Sequence, residues 1–208
     1  MAHIPDGVLS LPVLIGGGVV AAMGLGLALR AIDDRSIPRI AILAGVFFAA
    51  SLVSVPMGPS SVHLLLAGLM GLMLGPGIFP AVLVALVLQA VLFGFGGLTT
   101  LGINTVNIAL PGYVAAFALG PAVRATKSPW RAGILAAIGA ASATFATGAL
   151  VALSLWYSSL DFVPVAKVLL VTYFPLALAE AAITATVIAF LVRVEPKALH
   201  PRLVRPEL

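Results

Sequence analysis

The sequence predicts an all-α fold, a polytopic membrane bundle of about seven transmembrane helices, and three observations carry that prediction. Of 208 residues, 62% are hydrophobic and 9% charged, with a mean hydropathy of +1.20, so the chain lacks the polar surface of a soluble globule. Its apolar residues fall in long continuous runs, whereas a transmembrane barrel would show alternating strands of about ten residues. The 21 glycines are spread through those runs, where small residues let helices approach closely in lipid. Cysteine is absent. That excludes disulfides, thiolate metal sites and cysteine catalysis, and leaves the redox compartment open.

The runs cover roughly residues 11–32, 40–55, 62–74, 78–95, 108–123, 132–157 and 165–194. The first is preceded by His-Ile-Pro-Asp-Gly without Lys or Arg, so a cleavable signal sequence is not expected. The third is short: 13 residues at about 1.5 Å each reach about 20 Å against a hydrocarbon core of about 30 Å. It is expected inside the bundle, or extended through Pro59 and Gly77. Ser60 or Ser61 is its expected N-cap, which puts His63 in the first helical turn, where the helix dipole favours a neutral ring. Gly71 and Gly75 in this run, and Ala132, Ala136, Ala140, Thr144 and Gly148 in the sixth, make small-residue faces suited to internal packing. Met70 and Met73 read as packing residues. In the seventh run Glu180 is an acid well inside a span, costing about 2.5–3.5 kcal/mol on insertion scales. A structural role is expected, with the carbonyl freed by Pro175 as a nearby partner.

Net charge is +4 and the sequence pI about 10.0, yet the basic residues describe topology rather than nucleic-acid binding. Arg30, Arg35 and Arg39 follow the first run, Arg124, Lys127 and Arg131 the fifth, and Arg193, Lys197, Arg202 and Arg205 the seventh. Only Lys167 lies opposite. The positive-inside rule makes the basic side cytoplasmic, and an odd number of spans puts the amino terminus outside and the carboxy terminus in the cytoplasm. The chain is thus expected to form one integral-membrane domain, 1–208, with an amino-terminal segment at 1–10. A cytoplasmic tail, 195–208, carries a solvated His200.

On that topology His3 and His63 both face outward. Neutral imidazole is the commonest metal-ligating side chain. With Met1 removed, the ligands would be the Ala2 amine, the His3 amide nitrogen and ring, and the His63 ring. With Met1 retained, amine-X-X-His could fill a square plane unaided. Planar nitrogen ligation suits Ni(II) or Cu(II) better than Zn(II). The alternative is a frayed tail at His3 and a polar helix start at His63. The glycine-rich stretch 93–107 falls on the same side. There Thr99, Thr100, Asn104 and Asn107 either orient a ligating ring or satisfy a buried turn.

His3-Ile-Pro-Asp-Gly, Ser60-Ser61-Val62-His63-Leu64, the helix to Leu74-Gly75-Pro76, Phe93-Gly-x-Gly-Gly-Leu-Thr-Thr-Leu-Gly-x-Asn104 and Pro175-x-Ala-x-x-Glu180-x-x-x-Thr184 together resemble the CbiM/NikM family. These are the substrate-capture components of energy-coupling-factor (ECF) transporters for cobalt and nickel. The resemblance covers nearly the whole chain. It implies that the amino terminus folds back into the membrane domain and holds Ni2+ or Co2+ as transported substrate, through its amine, His3 and His63, with Asn104 in support. It implies no cofactor and no ATP hydrolysis by this chain. Expected partners are a transmembrane coupling subunit, two cytoplasmic ATPase subunits and, in some systems, a small accessory membrane protein, all in a prokaryotic plasma membrane. No nucleic acid is expected. Metal binding would order the amino-terminal segment. Family sequences usually begin Met-His, so Ala2 is an extra residue that removal of Met1 would offset; Phe95 stands where family loops tend to be polar. The competing functions are a vitamin-binding capture component and an intramembrane hydrolase. The first gives no reason for a terminal histidine. The second lacks a His-Glu-x-x-His motif.

Overall fold

Four helices begin with proline in the first turn, where its missing N–H is no loss and its fixed φ is already helical. These are α1 (Leu11–Ala31), α2 (Ile37–Leu52), α6 (Pro129–Ser158) and α7 (Val163–Val194). In the computed structural model, which describes residues 3–57 and 60–201, a short hairpin follows α2. Strand β1 (Ser54–Met57) pairs antiparallel with β2 (Ser60–His63), Ser54 opposite His63. Then come α3 (Ala67–Leu74), α4 (Ile78–Phe93) and α5 (Leu101–Ala125). The architecture is a membrane helical bundle with this one hairpin among the described residues.

By length and composition six runs of the described residues can cross a membrane, α3 and α4 counting together as one. The third predicted run thus does not qualify by itself and is joined to the fourth. Its eight-residue helix α3 reaches about 12 Å, and the chain reverses at the turn Gly75–Gly77, where Gly75 takes φ +56°. The end of α3 meets Ile32, Arg39 and Pro201. By contrast, the end of α4 packs Phe93 on Phe48 and bonds Gln89 to Ser51, at the opposite end of α2.

As expected for a short helix inside the bundle, α3 is buried at seven of its eight positions. Its small residues permit this: a side chain at Gly71 would strike the Gly112 carbonyl of α5, and one at Gly68 would strike Ala140 of α6. The predicted stripe on α6 is buried throughout and serves internal contacts, with Gly148 against Tyr173 of α7. Large apolar side chains such as Ile15, Leu27, Val171 and Phe174 stay exposed on the periphery, where lipid replaces water.

The two ends of the bundle differ. At one, Val123, Ala132, Ile188 and Leu199 share a cluster, and the Arg39 guanidinium donates to the carbonyls of Ala198 (3.0 Å) and His200 (3.2 Å). This is the basic end, and His200 is exposed there. The tail nevertheless docks, since Leu199 is buried. Residues 202–208, including Arg202 and Arg205, lie outside the described residues. At the other end, Ser10 at the head of α1 donates its N–H to Ser158 at the end of α6, and the histidines lie beside it.

Candidate metal centre

His3 and His63, 60 positions apart, are brought together at that second end, their rings stacked with centroids 4.7 Å apart and planes 21° apart. Both are buried, at 4% and 6% exposure. His63 does not open a helix. It ends β2, and Leu66, not Ser60 or Ser61, occupies the N-cap position of α3. The sequence suggested a cap because hydroxyls precede an apolar run; pairing with β1 takes that backbone into a ladder instead.

Neutrality of the rings therefore comes from burial rather than from a helix dipole. Desolvation, with the neighbouring His63 charge adding to it, pushes His3 down to about 3. Desolvation also lowers His63, partly offset by its hydrogen bond to the Leu64 carbonyl. That bond, Nδ1 to Leu64 O at 3.0 Å, puts the proton on Nδ1 and leaves Nε2 with a free lone pair. Among the described residues, both ring nitrogens of His3 and Nε2 of His63 are buried without a hydrogen-bond partner. Buried polar atoms are ordinarily paired, and a neutral imidazole offers one lone-pair nitrogen, so each ring has one unused candidate donor to a metal. No cluster of three His, Cys, Asp or Glu occurs among the described residues. Ala2, expected to give its amine, lies outside the described residues.

The amino-terminal segment is docked, through the Ile4 backbone and the Asp6 carboxylate, by three residues the sequence singled out. Asn104 accepts the Ile4 N–H (3.1 Å) and donates to the Ile4 carbonyl (3.0 Å), matching a backbone strand edge with one amide. Thr100 donates its hydroxyl to the same carbonyl at 2.8 Å. Thr99 donates its N–H and hydroxyl to Asp6, whose carboxylate also accepts the Leu98 N–H. The Thr99 hydroxyl holds the Asp6 carboxyl below its ordinary value. None of the three bonds a histidine ring. They hold the backbone that carries His3.

The glycine loop is explained by the same segment. A side chain at Gly97 would collide with the Asp6 carboxyl, and Gly96, at φ +74°, runs beside His3 and Asn104. Asn104 and Asn107 stand on α5 rather than in the loop, since α5 starts at Leu101. Asn107 reaches Ser154 at 3.5 Å. Polarity hid the start of this helix from hydropathy. Sequence reasoning missed Asp6 altogether, although its neighbours Pro5 and Gly7 mark a turn.

Glu180 does not bond the carbonyl freed by Pro175; as an acceptor it needs donors. It takes the N–H groups of Leu65 and Leu66, just after His63.

A helical bundle with six membrane-capable runs and an inward-folded terminus that brings two unprotonated histidines together defines a multi-pass membrane protein with the makings of a metal site. The family model for the cobalt uptake substrate-specific transmembrane region matches residues 3–198, so the chain belongs to the CbiM family, whose members are transport components and not enzymes. It is 33% identical to the cobalt transport protein CbiM of Sorangium cellulosum, over 91% of this chain and 90% of that one. It is 31% identical to the fused nickel transport protein NikMN of Rhodobacter capsulatus, over 96% of this chain and 64% of that one. The fold matches a crystal structure of a transition metal transporter with a TM-score of 0.69 at 25% identity, covering 92% of this chain and 93% of that one.

Proposed function

We propose that this chain is the substrate-capture membrane component of an ECF-type importer, binding Ni2+ or Co2+ with high affinity at the terminus. The observation that supports this most is the stacking of the buried His3 and His63 rings, with both His3 ring nitrogens and His63 Nε2 left without hydrogen-bond partners. With no third acidic, thiolate or imidazole group clustered there among the described residues, the remaining donors are backbone ones. They are the terminal amine and the His3 amide nitrogen, a planar nitrogen set that tilts the site towards nickel. A ring lone pair lies in the ring plane, and these two planes stack, so closing on an ion requires one ring to turn. His63 is tied through Nδ1, which leaves His3 to do the turning.

The basic end, carrying Arg39 and the tail, faces the cytoplasm by the positive-inside rule, and the histidine end faces out. The chain works with a transmembrane coupling subunit and two ATPase subunits at the basic end. An accessory membrane protein fits the fused architecture of the NikMN relative, of which this chain matches 64%. On capture the metal adds its bonds to the hydrogen bonds that already dock the segment, and the partners drive release.

The test is intact mass of the mature protein, then nickel and cobalt titration of wild type, His3→Ala and His63→Ala. The expected result is loss of Met1 with one ion bound, abolished or severely weakened by either substitution. Binding indifferent to His63 would refute the site.

A further inference from the structure

We infer that Glu180 is the positioning residue for His63, an inference that rests on the metal site proposed above. Glu180 is fully buried in α7. Its Oε1 accepts the N–H groups of both Leu65 and Leu66, the latter at 2.9 Å, and its Oε2 accepts Leu66 again at 3.1 Å. These amides follow directly on Leu64, whose carbonyl takes the His63 Nδ1 proton. Ring, carbonyl, two amides and carboxyl thus form one hydrogen-bonded series from the ligand to α7.

The backbone in that series is under strain. Leu66 has φ +52° and ψ +21°, and among the described residues it alone has a positive φ without being glycine. A left-handed leucine persists only where its surroundings impose it, and the carboxyl group bonded to its N–H is what does so here.

A capping side chain at position 66 would serve the N–H groups two and three residues on, not those of Leu65 and Leu66. The partner comes instead from a residue 114 positions along the chain, on a different helix. The consequence is that the aim of His63 Nε2 depends on where α7 stands. A displacement of α7 moves Leu65 and Leu66, and with them the Leu64 carbonyl that orients the ring. Glu180 acts through His63 and touches no metal. Residues that orient metal-bound histidines through their other nitrogen typically change affinity 10- to 100-fold when altered.

The experiment is a double-mutant cycle on the purified full-length protein in detergent, titrated with Ni2+ alone, using Glu180→Gln and His63→Ala. Gln keeps the shape and one accepting oxygen but turns an N–H towards the Leu66 amide. The expected result is about a tenfold loss of nickel affinity and a shifted visible absorption of the bound ion in Glu180→Gln, with less than about a twofold further loss when Glu180→Gln is added to His63→Ala. Equal losses in both backgrounds, or unchanged affinity and spectrum in folded Glu180→Gln, would overturn the inference. A wild type that binds no nickel, or a His63→Ala that binds it as wild type does, would instead sink the site itself. Should Glu180→Gln fail to fold, Glu180→Asp keeps the carboxyl group and withdraws it by one methylene. The same cycle, read on that variant, must show the same dependence on His63.

Discussion

Replacing Asn104 with Ala asks whether docking of the amino-terminal segment is what makes the metal site. Asn104 is 2% exposed and makes both an accepted and a donated bond to Ile4, at 3.1 and 3.0 Å. Removing it leaves the Ile4 N–H buried without its acceptor, while the Ile4 carbonyl keeps Thr100. An orphaned buried N–H costs about 1–3 kcal/mol and the second bond a further ~1 kcal/mol net, so docking should weaken by about 2–4 kcal/mol. At about 1.4 kcal/mol per factor of ten, that is roughly a 30- to 1,000-fold shift towards the undocked segment. Alanine favours helix, so α5 itself should not suffer. Apparent metal affinity falls by the fraction of chains still competent, and any surplus docking stability in the wild type absorbs part of the loss. Two readouts are therefore needed: hydrogen exchange at Ile4 in the metal-free protein, and nickel affinity by calorimetry. Expected are loss of Ile4 protection and at least a tenfold weaker nickel complex. Thr100→Val removes one of two donors to the carbonyl and should cost only about 1 kcal/mol. Unchanged protection together with unchanged affinity in Asn104→Ala would refute the argument.

Gly97→Ala should displace the Asp6 carboxyl, which occupies the place its Cβ would take; nickel binding is expected to fall while the melting temperature in detergent holds, and full binding would contradict the packing. Acid should undock the segment. His3 titrates at about 3 when docked against 6.5 ordinarily, so the undocked form binds more protons in between, and docking is whole above pH 6.5 and lost as pH falls. The loss approaches about 1.4 kcal/mol per pH unit from His3 alone, with His63 acting in the same direction. Ile4 exchange, corrected for its intrinsic pH dependence, should quicken from pH 6.5 to 5; flat protection across that range would show the ring is not desolvated. Leu199→Ala should lower thermal stability by about 2–4 kcal/mol, as for other buried leucines, without changing nickel affinity, because Leu199 lies at the basic end.

What could be read in the sequence divides by range. His3 and His63 stood out because imidazole is scarce in so apolar a chain, and the basic residues already showed that their ends of the bundle agree. The path between was less legible. Hydropathy merged strand β2 with helix α3, since Val62 and Leu64 are apolar in either conformation. It also cut the first turns from α5, since buried Asn104 and Asn107 are polar but hydrogen-bonded. Gly97 could be flagged as a loop residue, but the carboxyl that requires it comes from Asp6. Glu180 was conspicuous as an acid in a span, while its partners, 114 and 115 positions away, are a tertiary fact that local pattern does not encode.

The half-length helix α3 ties these parts together. At its start the chain is clamped by Glu180 of α7. Beyond its end, Pro201 lies against Gly75, and Leu199 shares the cluster of Leu69 and Leu72. Both clamps come from the same stretch of chain, α7 and its continuation, so α3 is held at each end by one element while its flanks rest on α5 and α6. A helix so short has few backbone bonds of its own, and it is the tertiary contacts that hold it. A force applied to α7 at the basic end therefore acts on α3 twice, at Leu199 and at Leu65–Leu66. The second point lies two residues from His63. Cross-linking the tail that continues α7 to α3 at the basic end, through cysteines at Leu199 and Leu72, should leave nickel capture intact and block release into the cytoplasm. Uptake at the wild-type rate with the cross-link formed would show that release does not run through this helix.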